Sequence, residues 1–130
     1  MLDKQAIAVR RSDRRIVFSS WDEMSQSKDL YFVSGDRSGA APFPGSDIWD
    51  DEIPSWSPTG RYVVFTSNRS GHAEIWALDT ETQKFRQLTG SSSRSARRVQ
   101  AVWSPDGTRV AVLEAYGYTD YAIAIYPTNE

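Results

Sequence analysis

The chain has 130 residues, a net charge of −2 and no cysteine. It is one domain or a piece of a larger one. Near-neutral charge removes any global signal for nucleic acid or an anionic membrane, and the missing thiols exclude disulfides and thiolate metal sites.

The N-terminal stretch "MLDKQAIAVRRSDRR" lacks the apolar centre of a signal peptide. The protein is therefore cytosolic, or an export signal lies outside this chain. No run approaches the ~18 apolar residues that span a bilayer, so direct membrane insertion is not expected. Five tryptophans and six tyrosines favour β structure.

In chain order, the first predicted strands are "AIAV", "RIVFSS", "DLYFVS" and a weak "AAPF". "PSWS", "RYVVFTS", "EIWALD" and "KFRQLT" follow, then "QAVWS", "RVAVLE" and "YAIAIYP". This gives strands A to D twice and A to C once.

The stretch "WSPTGRYVVF" from Trp56 returns as "WSPDGTRVAV" from Trp103, 47 residues later. The same step back from Trp56 reaches Val9, and it also links Phe18, Phe65 and Val112. There are three copies, and the first is degenerate. A period in the 40–50 range filled with short strands is that of propeller blades.

Asp106-Gly107 signals a tight A–B hairpin, because Gly supplies a positive φ. Asp13 in place of the glycine predicts a looser turn in copy one. In "YVVF", Val63 and Phe65 face one side and Tyr62 and Val64 the other. Both sides are apolar or aromatic, as stacked blades require. The expected fold is all-β: a β-propeller segment of three blades with antiparallel sheets, the third incomplete. Residues 1–130 form a single segment with blades near 5–46, 52–90 and 99–127.

Trp-Ser-Pro-Asp-Gly, an apolar-x-apolar strand, "TSNRSGHAEIWALD" and "RQLT" resemble the TolB-type WD40-like β-propeller repeat. Copy two matches almost throughout. Copy three lacks the closing "LT", and copy one matches only through "RIVFSS" and "DLYFVS". The resemblance spans nearly the whole chain but says little about function. It implies a protein-binding platform in the cell envelope or periplasm, a gating domain on a serine peptidase, or a sensor module.

Antiparallel connectivity places A–B and C–D turns at one end and B–C and D–A loops at the other. The second end is richer, and function on rigid scaffolds usually rides on loops. Its candidate interaction residues are Trp21, Trp49, His72, Arg94, Arg97, Arg98, Tyr116 and Tyr118. Exposed aromatics and arginines are typical interface anchors. The competing reading is that the aromatics only cap blade ends and the arginines are merely solvated.

The acidic segment with Asp47, Asp50, Asp51 and Glu52 has the oxygen ligands Ca²⁺ takes but not the spacing of a calcium loop. It reads as a solvated acidic loop. Arg10, Arg11, Arg14 and Arg15 form a second basic group at the opposite end. "NRS" at Asn68 matches a glycosylation sequon in a tight hairpin. His72 is the only histidine and no G-x-S-x-G elbow is present, so catalysis has little support.

The expectation is a non-enzymatic protein-protein interaction module without cofactor or metal. The alternatives are the propeller part of a larger enzyme, such as a serine peptidase, or a small-ligand or glycan-binding propeller. A protein partner is expected and nucleic acid is not. Three blades leave two apolar faces open, so a homo-oligomer or a larger assembly is expected as well.

Overall fold

The computed structural model describes residues 7–34, 36, 39–43, 45, 49–90 and 96–128. These form eleven strands and no helix. The first sheet holds β1 (Ile7–Val9), β2 (Ile16–Asp22), β3 (Ser27–Val33) and β4 (Ala40–Pro42). The second holds β5 (Asp51–Trp56), β6 (Tyr62–Ser67), β7 (Glu74–Asp79) and β8 (Lys84–Gln87). The third holds β9 (Arg97–Trp103), β10 (Arg109–Ala115) and β11 (Tyr121–Pro127). Each sheet is an antiparallel meander in sequence order. The fold is the three-bladed propeller segment that the repeat predicts.

The A–B turns follow their sequences. Gly60 and Gly107 sit at φ 76° and 75°. Their amides donate to the Ser57 and Ser104 carbonyls at 2.9 and 3.0 Å, closing three-residue steps. In the first sheet the positive φ falls instead on Arg14, at 62°. Its amide reaches four residues back, to the Arg10 carbonyl at 2.8 Å. The looser turn expected from Asp13 is present. Because L residues adopt positive φ reluctantly, it is also the more strained of the three.

Alternation along β6 decides the packing. Val63 and Phe65 join Val17, Leu30, Phe32, Phe43, Trp56 and Leu78 in a core between the first two blades. Val64 faces the other way. It joins Ile75, Ala77, Ala101, Val110 and Val112 between the second and third blades. A central blade buried on both faces is what an all-apolar "YVVF" requires.

Two corrections to the sequence reading concern element boundaries. β5 begins at Asp51 and β9 at Arg97, both inside stretches expected to be loop. Ile53 adopts a φ of 54°, and the register between β5 and β6 shifts around it. This bulge lets the acidic residues before Pro54 enter the sheet.

Each tryptophan of the repeated phrase also packs on the preceding blade, not the following one. Trp56 Nε1 donates to the Ala8 carbonyl at 3.2 Å, and Trp103 Nε1 to the Ser55 carbonyl at 3.1 Å. Trp56 is buried and Trp103 half-buried.

Candidate interaction face

Trp21 lies near the end of β2 and Trp49 just before β5, at relative exposures of 43% and 38%. Tyr118, in the β10–β11 turn, is fully exposed. Arg97 is exposed at the start of β9. With Ala115, Gly117 and Tyr118 it lines a hollow of about 300 Å³. All of these sit on the B–C/D–A end. Arg94 lies outside the described residues.

Arg98 is a correction. Expected in a basic surface patch, it is 2% exposed on β9. Its Nε donates to Glu114 Oε2 at 2.8 Å, and Nη1 lies 3.3 Å from Glu74 Oε1. Nη1 also reaches the Ala96 carbonyl at 3.2 Å, and Nη2 the Tyr126 hydroxyl at 3.4 Å. Glu74 and Glu114 are themselves buried. Two buried carboxylates side by side repel each other unless a cation lies between them, so the guanidinium is drawn inside.

His72 and Tyr116 join the same cluster from its rim. His72 is largely exposed, with Nε2 3.0 Å from Glu74 Oε1. The Tyr116 hydroxyl donates to Glu114 Oε1 at 3.0 Å, and the Tyr126 hydroxyl to Glu114 Oε2 at 2.8 Å. Thr89 Oγ1 donates to Glu74 Oε2. Burial pushes the Glu114 carboxyl up, but the two tyrosine hydroxyls and Arg98 outweigh it, and the net shift is downward.

The cluster links the second and third blades. Its signal in the sequence was thin: Glu74 follows "GHA" at the start of a strand, and Arg98 is one arginine among several.

The acidic segment is also corrected. Asp51 is fully buried and pairs with Arg69 Nη2 at 2.7 Å. Arg69 in turn lies over the Phe85 ring at 4.2 Å. Glu52 pairs with Lys28 at 3.1 Å across the first two blades. Asp50 accepts the Lys28 amide at 2.9 Å, and its own amide donates to Asn68 Oδ1 at 2.9 Å. These acids carry structural contacts in place of the solvated loop expected, and Asp47 lies outside the described residues. Among the described residues, no group of three or more His, Asp or Glu is arranged to hold a metal.

At the opposite end Arg10 pairs with Asp13 at 2.5 Å, and Arg15 lies over Phe32 at 4.7 Å. A hollow of about 530 Å³ opens there between the A–B turns, lined by Arg10, Arg11, Trp56, Pro58, Val102 and Trp103 among others. That end is less plain than its sequence suggests. Among the described residues, no helix is long and apolar enough to cross a membrane.

The chain matches no protein-family model. It is 39% identical over 64 residues to the Tol-Pal system protein TolB of Anaeromyxobacter dehalogenans, covering 49% of this chain and 14% of that one. It is 54% identical over 48 residues to the Tol-Pal system protein TolB of Zymomonas mobilis, covering 35% of this chain and 9% of that one. The chain thus spans a small part of these relatives' length.

Among solved structures it superposes on TolB from Acinetobacter baumannii with a TM-score of 0.79 at 20% identity, over 95% of this chain and 30% of that one. On a puromycin hydrolase the TM-score is 0.71 at 16% identity, over 94% of this chain and 20% of that one. The local sequence identity and the shared blade architecture agree in supporting a TolB-like β-propeller repeat segment of three blades.

Proposed function

We propose that the chain is a non-enzymatic protein-protein interaction module whose partner contacts the B–C/D–A end. The observation that carries this reading is the exposure of Trp21, Trp49 and Tyr118 on three successive blades, with Arg97 beside Tyr118. Amphipathic rings and a free guanidinium on rigid sheets are suited to anchoring a protein surface. The likeness to proteins of a system named Tol-Pal supports a protein partner. His72 and Tyr116 are tied into the blade-linking cluster, so they serve the rim of that surface and not its centre.

Binding tests on paired variants check this. Trp49→Ala with Arg97→Glu is expected to abolish capture of a partner by the immobilised chain. Substitutions in "SPDGT" are expected to leave capture intact. The reverse pattern would assign the opposite end.

A second reading is favoured by the superposition on a puromycin hydrolase, namely that these blades form the propeller part of a larger enzyme. A chain that binds the catalytic domain of such an enzyme, and no other protein, would support it.

A further inference from the structure

All three blades contribute to the hollow of about 530 Å³ at the A–B end. The first brings Arg11 and Ser12, the second Ser55 and Pro58, and the third Val102 and Pro105. Its volume lies in the range of small-ligand sites. The first two turns meet closely there. A Cβ at Gly60 would stand 2.7 Å from Arg10 Cδ and 3.8 Å from Ser12 Oγ.

Most polar groups on this wall are already committed. The indole N–H groups of Trp56 and Trp103 go to main-chain carbonyls. Ser57 Oγ accepts the Tyr62 amide at 3.1 Å, and Ser104 Oγ donates to Asp106 at 2.7 Å. Arg10 gives Nη1 to the Gly60 carbonyl at 3.0 Å and its remaining edge to Asp13, which neutralises it. Arg11 differs. It is exposed, and among the described residues its guanidinium has no acceptor. Among those residues the wall also carries no carboxylate. One unspent positive charge therefore stands beside a surface that is otherwise apolar, with Val9 and Val102 53% and 51% exposed.

We propose that this hollow binds a small organic carboxylate with an apolar body. The carboxylate pairs with Arg11, whose planar fork matches two carboxylate oxygens. The body lies against Val9, Val102, Pro58 and Pro105, and leaving water supplies the rest of the affinity. The charge balance sets the class. A cation is repelled by Arg11, and an uncharged molecule leaves Arg11 with nothing to bind. A dianion finds one free partner only, because Asp13 already holds Arg10. Since the wall comes from three blades, a bound ligand also holds them together and stabilises the fold.

Titration with indole-3-propionate and with its neutral primary amide tests this. The readouts are the Trp103 indole N–H and the Val102 amide in ¹H–¹⁵N spectra of the intact chain. The acid is expected to bind with a Kd of roughly 1 mM, ordinary for a ligand of this size, and the amide roughly tenfold more weakly. On Arg11→Gln the two are expected to bind equally weakly. Arg11 is exposed, so that change leaves the fold intact. Val102→Ser is expected to weaken both by roughly threefold and to keep the difference between them. Arg97→Gln, at the opposite end, is expected to alter neither. At roughly tenfold its Kd the acid is expected to raise the melting temperature by roughly 3 °C.

Equal binding of acid and amide by the parent would overturn the proposal. So would an Arg11→Gln variant that still prefers the acid, or a preference that disappears with Arg97→Gln instead. Shifts confined to Trp49 and Tyr118, or no saturable shift, would do the same. The partner face is tested separately, through capture that depends on Trp49 and Arg97. A chain that binds the acid and captures no partner keeps this site and loses that face, and the opposite result does the reverse.

Discussion

The two interfaces of this segment are built from one repeat and held in different ways. Between the first and second blades the contact is aromatic. Phe32 meets Phe43 and Trp56 at ring-centroid distances of 5.1 and 5.8 Å, and Phe85 meets Phe43 and Phe65 at 5.9 and 6.0 Å. Guanidinium groups cover these rings, Arg10 over Trp56 at 5.0 Å and Arg69 over Phe85 at 4.2 Å. Between the second and third blades the buried apolar residues are aliphatic and smaller, with Trp103 and Tyr126 packed against them, and Glu74, Arg98 and Glu114 fill the remaining space. A propeller joint therefore needs a filled volume and satisfied polar groups more than any one chemistry. The indole hydrogen bond is the element common to both.

The largest expected effect breaks the ionic joint. Arg98→Leu leaves Glu114 buried without a cation and Glu74 with only His72 and Thr89 beside it, and is expected to cost ~5 kcal/mol at neutral pH. A carboxylate stranded in this way takes up a proton more readily. The loss should therefore shrink as the pH falls toward 5, which chemical denaturation at several pH values would reveal. A loss that is flat with pH would mean that Arg98 acts by packing alone.

Phe65→Ala tests the aromatic joint. Phe65 is 1% exposed, and the cavity left behind is expected to cost ~4 kcal/mol. Over the same pH range that loss should stay constant. The contrast in pH dependence, more than either magnitude, separates the two joints.

A smaller effect compares the A–B turns of the first and third blades. Asp13 is held at about 2, chiefly by the hydrogen bonds from Arg10 and then by the Arg15 amide. Asp106 is also held at about 2, chiefly by the Ser104 hydroxyl and then by the Thr108 amide and hydroxyl. A carboxyl whose folded pKa lies below its unfolded value of about 4 stabilises the fold above that pH. That contribution is lost as the pH falls from about 4 toward 2. Asp13→Asn and Asp106→Asn should each flatten the acid limb of a melting-temperature profile. Asp13 depends on an ion pair, so its effect should weaken in 1 M salt, whereas that of Asp106 should persist.

The propeller was legible because its signals are local. The "WSPDG" turn, the all-apolar "YVVF" and the fixed step between copies each report on a few neighbouring residues. The joints were less legible because they are set by pairings distant in the chain. Arg98 sits in "SSSRSARR", which by composition is a polar loop. Only pairing with β10 makes it strand, and only the two carboxylates draw it inside. Asp51 was hidden in the same way, since the bulge at Ile53 moves it into the sheet beside Arg69. Trp56 and Trp103 open the repeated phrase at one register, but nothing local tells which neighbour a side chain meets. Trp21, Trp49 and Tyr118 stand exposed at the end where alternating strands and turns had put them.

β11 forms the outer edge of its sheet. Its sequence, "YAIAIYP", carries no charge until proline ends it. Six uncharged residues, four of them (Tyr121, Ile123, Ile125 and Tyr126) of high β-propensity, along a sheet edge are a template for identical strands, the geometry from which amyloid-like stacks grow. Pro127 closes the strand at one end, and the charge of Asp120 stands just before it at the other. For anyone preparing this chain by itself, the consequence is practical: concentrated stocks are at risk of seeding fibrils through β11, and a lysine in place of Ile123 or Ile125 is the simplest remedy.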